Sequence, residues 1–221
     1  MAPSDASTST RTLSALYLIA DLGYADDQGI DLVDAVSAYL RAGGRLVSLR
    51  PAGGDDRRLM RTARRLAGLV YAAHGTFLVH RRLDIAMLAG ADGLHLPSHG
   101  LRRRDVVQLL DHSAILARSC HDRREVMAAE REGIGFATLG PMFESVSKPG
   151  YGPGLDAASF ASSARDTSMP LFALGGVVPE RVAQAFEAGA SGVGVVGGII
   201  GADDPFEATT RYLEALREVE A

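Results

Sequence analysis

Short apolar runs alternate with longer segments whose apolar residues recur every three or four positions, and the alternation repeats eight times along the chain. Continuous apolar runs of a few residues predict strands buried on both faces, whereas the longer spacing predicts helices that bury one side. Residues 16–20 form the first such strand and residues 31–42 the first helix, stopped by Gly43-Gly44. Residues 45–49 and 55–73 make the second pair, with Asp55 and Asp56 at the positive end of the helix. The series continues with 76–79 and a short helix at about 83–88 closing at Gly90, then 93–96 with 102–110, 114–120 with 123–132, and 136–139 with 156–164. Asp122 is placed to cap the helix after 114–120. Residues 171–174 precede a helix at 179–188 that carries proline in its first turn, and 192–196 precede the last helix, 205–219.

Strands that alternate with helices argue for a parallel sheet with helical crossovers, and eight such units are the number that closes into a (β/α)8 TIM barrel. The class is therefore α/β, as a single domain over 13–221, with no composition break to mark a linker. The competing open doubly wound sheet would carry a glycine-rich turn after its first strand, and Asp21-Leu22-Gly23-Tyr24 supplies none. Residues 1–12 are small and polar, which predicts a disordered tail and neither a signal peptide nor an anchor.

Composition narrows the partners. A net charge of -4 and a pI near 5.9 give no reason to expect nucleic acid or an anionic membrane. The arginine-rich stretches 57–65 and 102–104 fall on predicted helices and read as solvated faces. One cysteine excludes an internal disulfide and a cysteine-based zinc site, and is consistent with a reducing cytoplasm. The histidines show no metal-ligand spacing, so no metal is expected.

Candidate chemistry collects where predicted strands end, which is where parallel α/β enzymes keep their sites. Gly175-Gly176 and Gly197-Gly198 close the last two strands, where backbone amides can receive a phosphate; the alternative is relief of crowding alone. His121, directly after the fifth strand, reads as a cleft-facing acid/base or as a core histidine. Cys120 reads as a small wall residue, and His95 either points into the barrel top or is a satisfied core residue. Lys148 lies in a polar glycine-rich loop suited to closing over an anion, and Arg50 follows the second strand at the expected mouth.

With these residues laid out, the chain resembles the thiamine phosphate synthase and thiazole tautomerase superfamily from 16 to about 216. The resemblance rests on Leu16-Tyr17-Leu18-Ile19-Ala20-Asp21, Ala89-Gly90-Ala91-Asp92-Gly93-Leu94-His95-Leu96, Leu139-Gly140-Pro141-Met142-Phe143, Ala173-Leu174-Gly175-Gly176-Val177 and Gly192-Val193-Gly194-Val195-Val196. Within it, His80-Arg81-Arg82 stands where synthases carry Asn-Asp-Arg, and Ser98-His99-Gly100 where they carry an acidic triplet, so both magnesium carboxylates are missing. Ser48-Leu49-Arg50-Pro51-Ala52 keeps the synthase arginine and loses its lysine, while Arg118-Ser119-Cys120-His121 and Leu96-Pro97-Ser98 match tautomerase motifs.

The resemblance therefore implies a cofactor-free isomerase that aromatises a carboxylated thiazole phosphate. His121 would move the proton, Ser119 would contact the substrate, Arg50 or Lys148 would hold its carboxylate, and Gly175, Gly176, Gly197 and Gly198 its phosphate. The alternatives are a synthase joining hydroxymethylpyrimidine diphosphate to thiazole phosphate, the only case in which magnesium is expected, or a non-catalytic binder of thiazole or thiamin phosphates. A homodimer is implied by the same resemblance.

Overall fold

Eight parallel strands hydrogen-bond in chain order and the last returns to the first, closing a barrel. They are β1 (Leu16–Asp21), β2 (Leu46–Arg50), β3 (Thr76–His80), β4 (Gly93–Leu96), β5 (Ile115–Cys120), β6 (Phe136–Leu139), β7 (Leu171–Leu174) and β8 (Gly192–Val195). This computed structural model describes residues 13–110, 113–143 and 154–220. The expected (β/α)8 barrel is the fold observed. The tail at 1–12 and Lys148 lie outside the described residues.

The helices are α1 (Leu22–Gln28), α2 (Leu32–Ala42), α3 (Asp56–Ala72), α4 (Leu83–Ala89), α5 (Arg103–Val106), α6 (Arg123–Arg131), α7 (Ala157–Arg165), α8 (Val182–Glu187), α9 (Gly197–Ile200) and α10 (Pro205–Glu220). Aspartates at 31, 55, 122 and 156 accept backbone N–H groups in the first turns of α2, α3, α6 and α7, each cap worth about 1 kcal/mol. None of the described helices is long and apolar enough to cross a membrane.

Four expectations about helices need correction, the first being that no helix was expected at α9, a single turn over Gly197–Ile200. Helix α1 is extra; its seven residues bury only Leu22 and Ala25, too few for a readable period, and Asp21 starts it by accepting from Gly23 and Tyr24 N–H. The helix expected over 102–110 is a single turn, Arg103–Val106. The one expected over 179–188 begins as a 3-10 turn, Pro179–Arg181, before α8.

Alternation along each strand divides the residues into an outer set under the helices and an inner set filling the barrel. The inner set begins, at the amino end, with Tyr17, Leu46, Leu78, Ala117, Phe136 and Phe172, all buried in one cluster. The Tyr17 ring meets Phe136 and Phe172 edge-on, with centroids 5.5 Å and 6.1 Å away, a favourable quadrupolar arrangement. This apolar plug is the floor on which the mouth is built.

Candidate active site

Moving toward the carboxyl ends of the same strands, the inner positions turn polar. Ser48 follows Leu46, His80 follows Leu78, His95 follows Gly93, Ser119 follows Ala117 and Thr138 follows Phe136, each two residues on and so on the same face. Strand register sets His80 level with His95 and Ser119 level with Thr138.

The result is one connected network. Ser48 Oγ lies 2.9 Å from His80 Nε2, and the His80 ring stacks on His95 with centroids 4.0 Å apart and planes within 6°. His95 Nδ1 lies 2.8 Å from the Tyr17 hydroxyl, and its Nε2 lies 2.9 Å from Ser119 Oγ. Burial, the neighbouring His95 and the Arg50 and Arg81 guanidiniums hold His80 well below the usual imidazole range. Burial, then the same two arginines, bring His95 down to about 3. Burial also raises the Tyr17 phenol well above its ordinary value. All three are thus neutral near pH 7. A neutral His95 satisfies both contacts when Tyr17 donates to Nδ1 and Nε2–H donates to Ser119, which leaves the Ser119 hydroxyl proton to offer to a ligand.

Arg50 stands at the mouth, its Nη2 2.7 Å from Asp21 Oδ2, while Asp21 Oδ1 receives the Gly23 and Tyr24 amides. One carboxylate thereby starts a helix and steers a guanidinium. Thr138 is only 1% exposed, and its Oγ1 has no partner among the described residues. A buried hydroxyl without a partner is costly, and this one belongs to the inner row beside Ser119. Neither Thr138 nor the His80–His95 stack was among the expected site residues.

The other side of the mouth is backbone. Met142 N–H donates to Leu174 O at 2.8 Å and Phe143 N–H to Gly175 O at 3.0 Å, so the segments after β6 and β7 run together beyond the sheet. A Cβ on Gly140 would lie 2.1 Å from Leu174 O, and one on Gly175 would lie 2.7 Å from Pro141. Gly175 and Gly176 have φ of 95° and 61°, the region glycine adopts freely. Gly197 and Gly198 form the first turn of α9, where amides lack helical acceptors.

Of the expected residues, Arg50, Ser119 and the four glycines thus lie at or beside the mouth. His121 sits on the rim, its side chain 43% exposed, with backbone N–H and Nδ1 2.8 Å and 3.1 Å from Glu125 Oε2. It is not part of the buried network. Arg118 turns outward to Glu132 at 3.1 Å and Leu101 O at 3.0 Å. Cys120 is buried and its thiol is pushed up to about 12, chiefly by that burial, which fits a wall residue. His95 is interior, resolving its two readings.

A family model described as thiamine monophosphate synthase matches residues 16–199. A thiamine-phosphate synthase of Roseiflexus castenholzii is 31% identical over 198 residues, covering 90% of this chain and 86% of its own length. One of a Synechococcus species is 35% identical over 202 residues, covering 91% of this chain but 56% of its own length, so the chain spans about half of that relative. The solved thiamine phosphate pyrophosphorylase of Pyrococcus furiosus shares the fold, with a TM-score of 0.82 at 20% identity over 93% of this chain and 96% of its own. These relatives overturn the expected tautomerase: their names give a transferase, not an isomerase, and none points to the tautomerase branch. The histidine-driven isomerisation assigned to His121 falls with it.

Proposed function

We propose, since this chain belongs to the thiamine monophosphate synthase family, that it is a transferase joining hydroxymethylpyrimidine diphosphate to a thiazole phosphate. In such a joining the thiazole ring nitrogen forms a bond to the exocyclic methylene of the pyrimidine. The bond from that methylene to the diphosphate oxygen breaks, and its electron pair departs with the diphosphate.

The arrangement that supports this reading is the division of the mouth. Glycine amides after β7 and β8 suit the phosphate that stays on the thiazole, while Arg50 across the mouth suits the diphosphate that leaves. Between them, Ser119 and the Thr138 hydroxyl, which has no partner among the described residues, would offer hydrogen bonds to a heterocycle beside the neutral imidazole stack. Lys148 remains a proposed phosphate ligand on its sequence context alone. A homodimer in a reducing cytoplasm completes the proposal, resting on the resemblance and on the single cysteine.

Magnesium, which the resemblance ties to synthases, does not fit the donors found here. The strand ends that would carry its carboxylates hold Arg81, Ser98 and His99. Asp21 is engaged by Arg50 and two amides, and Glu125 by His121. No group of three acidic, histidine or cysteine side chains suited to a metal occurs among the described residues.

The test is to mix purified protein with hydroxymethylpyrimidine diphosphate and thiazole phosphate and follow thiamin phosphate by mass. Product formation is expected. Binding of both substrates with no product would overturn the synthase reading and leave a non-catalytic binder.

A further inference from the structure

We infer that Arg81, acting with Arg50, neutralises the departing diphosphate in place of a divalent cation, so that the condensation runs without added metal. The inference rests on the synthase reading above, and its experiment separates the two.

Register pairs Leu49 with Val79, which sets Arg50 beside His80 and Arg81 one residue nearer the mouth. Arg81 has φ of 62°, an uncommon state for a residue with a side chain. That backbone is fixed on both sides, by the Arg81 N–H donating to His95 O at 3.0 Å and the Arg82 N–H donating to His80 O at 2.6 Å. The fold therefore maintains an unfavourable conformation at the residue directly after β3.

The neighbouring guanidinium of Arg82 is spent on Asp56 and Asp84. Arg81 is exposed and has no carboxylate partner among the described residues, so its donors are free for a ligand. Arg50 gives only one nitrogen to Asp21. Two guanidiniums bring the same formal charge as one divalent ion, and each presents planar paired donors that match phosphate oxygens. The imidazoles beneath them are kept neutral, first by burial and then by the two arginines, so the positive charge at this edge of the mouth is that of the guanidiniums.

The experiment measures condensation in excess EDTA and in added magnesium, alongside calorimetric titration of inorganic pyrophosphate in EDTA. Wild type should turn over at rates within about 2-fold in the two conditions. Arg81→Ala should lower turnover about 100-fold, the scale of losing one donor to transition-state charge, and weaken pyrophosphate binding about 10-fold. Arg81→Lys should recover part of both, and Arg81→Asp should be inactive in EDTA yet regain turnover with magnesium. Turnover only with magnesium, or pyrophosphate binding indifferent to Arg81→Ala, would overturn the inference. Absence of condensation in every condition, with pyrophosphate binding still dependent on Arg81, would overturn the synthase reading and uphold the anion clamp.

Discussion

The two halves of the barrel mouth are made from different parts of the polypeptide. From β2 to β5 the polar groups toward the carboxyl ends are side chains, Arg50, His80, Arg81, His95 and Ser119; from β6 to β8 the strand ends are mostly glycine backbone at Gly140, Gly175, Gly176, Gly197 and Gly198. The first half can adapt its charge by substitution, because a strand end tolerates many side chains. In the second half, Gly140 and Gly175 cannot gain a side chain without moving backbone, because a Cβ there would meet Leu174 O and the Pro141 main chain. Thr138, inward on β6, is the exception, a side chain placed where the two halves join.

Acid should break the side-chain half first. His80 and His95 titrate below their usual range in the folded protein and normally when unfolded, so between about pH 6.5 and His95's folded value of about 3 the unfolded chain binds more protons. Stability from this source is complete above pH 6.5 and lost as pH falls. From pH 7 to 5 the loss is about 2 kcal/mol for His95, and His80 adds to it in the same direction. Urea midpoints against pH should show it, with a shallower dependence in His80→Asn; an identical dependence would contradict the neutral stack.

Adding one methyl to the backbone half should come next. Gly140→Ala sets a Cβ against Leu174 O, which as main chain has little room to yield, and should cost about 3 kcal/mol in chemical denaturation. The same change at Gly53, where a Cβ meets nothing within 4 Å, is the control and should be near neutral. Comparable losses at both would remove the argument from close approach.

The smallest effects concern polish within the side-chain half. Ser119→Ala takes away the donor held by His95 and should lower kcat/KM about 10-fold, equivalent to about 1.4 kcal/mol, with little change in melting. Arg81→Gly should raise stability by about 1 kcal/mol, since glycine accepts the left-handed backbone, while losing the guanidinium. An increase in stability together with a loss of turnover would identify the strain as serving function.

The strand and helix alternation was legible because barrel strands are buried on both faces and read as plain apolar runs, as in 16–20. What the pattern hides is which polar residue inside a strand faces inward beside which other. His95 was ambiguous for that reason, since Ser119 reaches it from the neighbouring strand only by facing inward and Tyr17 reaches it from β1 only across the closed barrel. Thr138 and Ser48 look like ordinary strand residues until register brings them level with Ser119 and near His80. The motif Arg118-Ser119-Cys120-His121 misled in the opposite way, by treating adjacent letters as one site. On the strand they separate: Arg118 goes out to Glu132, Ser119 in to His95, Cys120 into the wall and His121 onto the rim.

The Asp21 carboxylate has a mechanical consequence. Because one oxygen grips Arg50 and the other fastens the opening amides of α1, a bound anion that draws Arg50 inward pulls on the same lever that tethers this helix. Deuterium uptake at Gly23 and Tyr24 should therefore report occupancy of the mouth, turning an otherwise silent surface turn into a gauge of what Arg50 is holding.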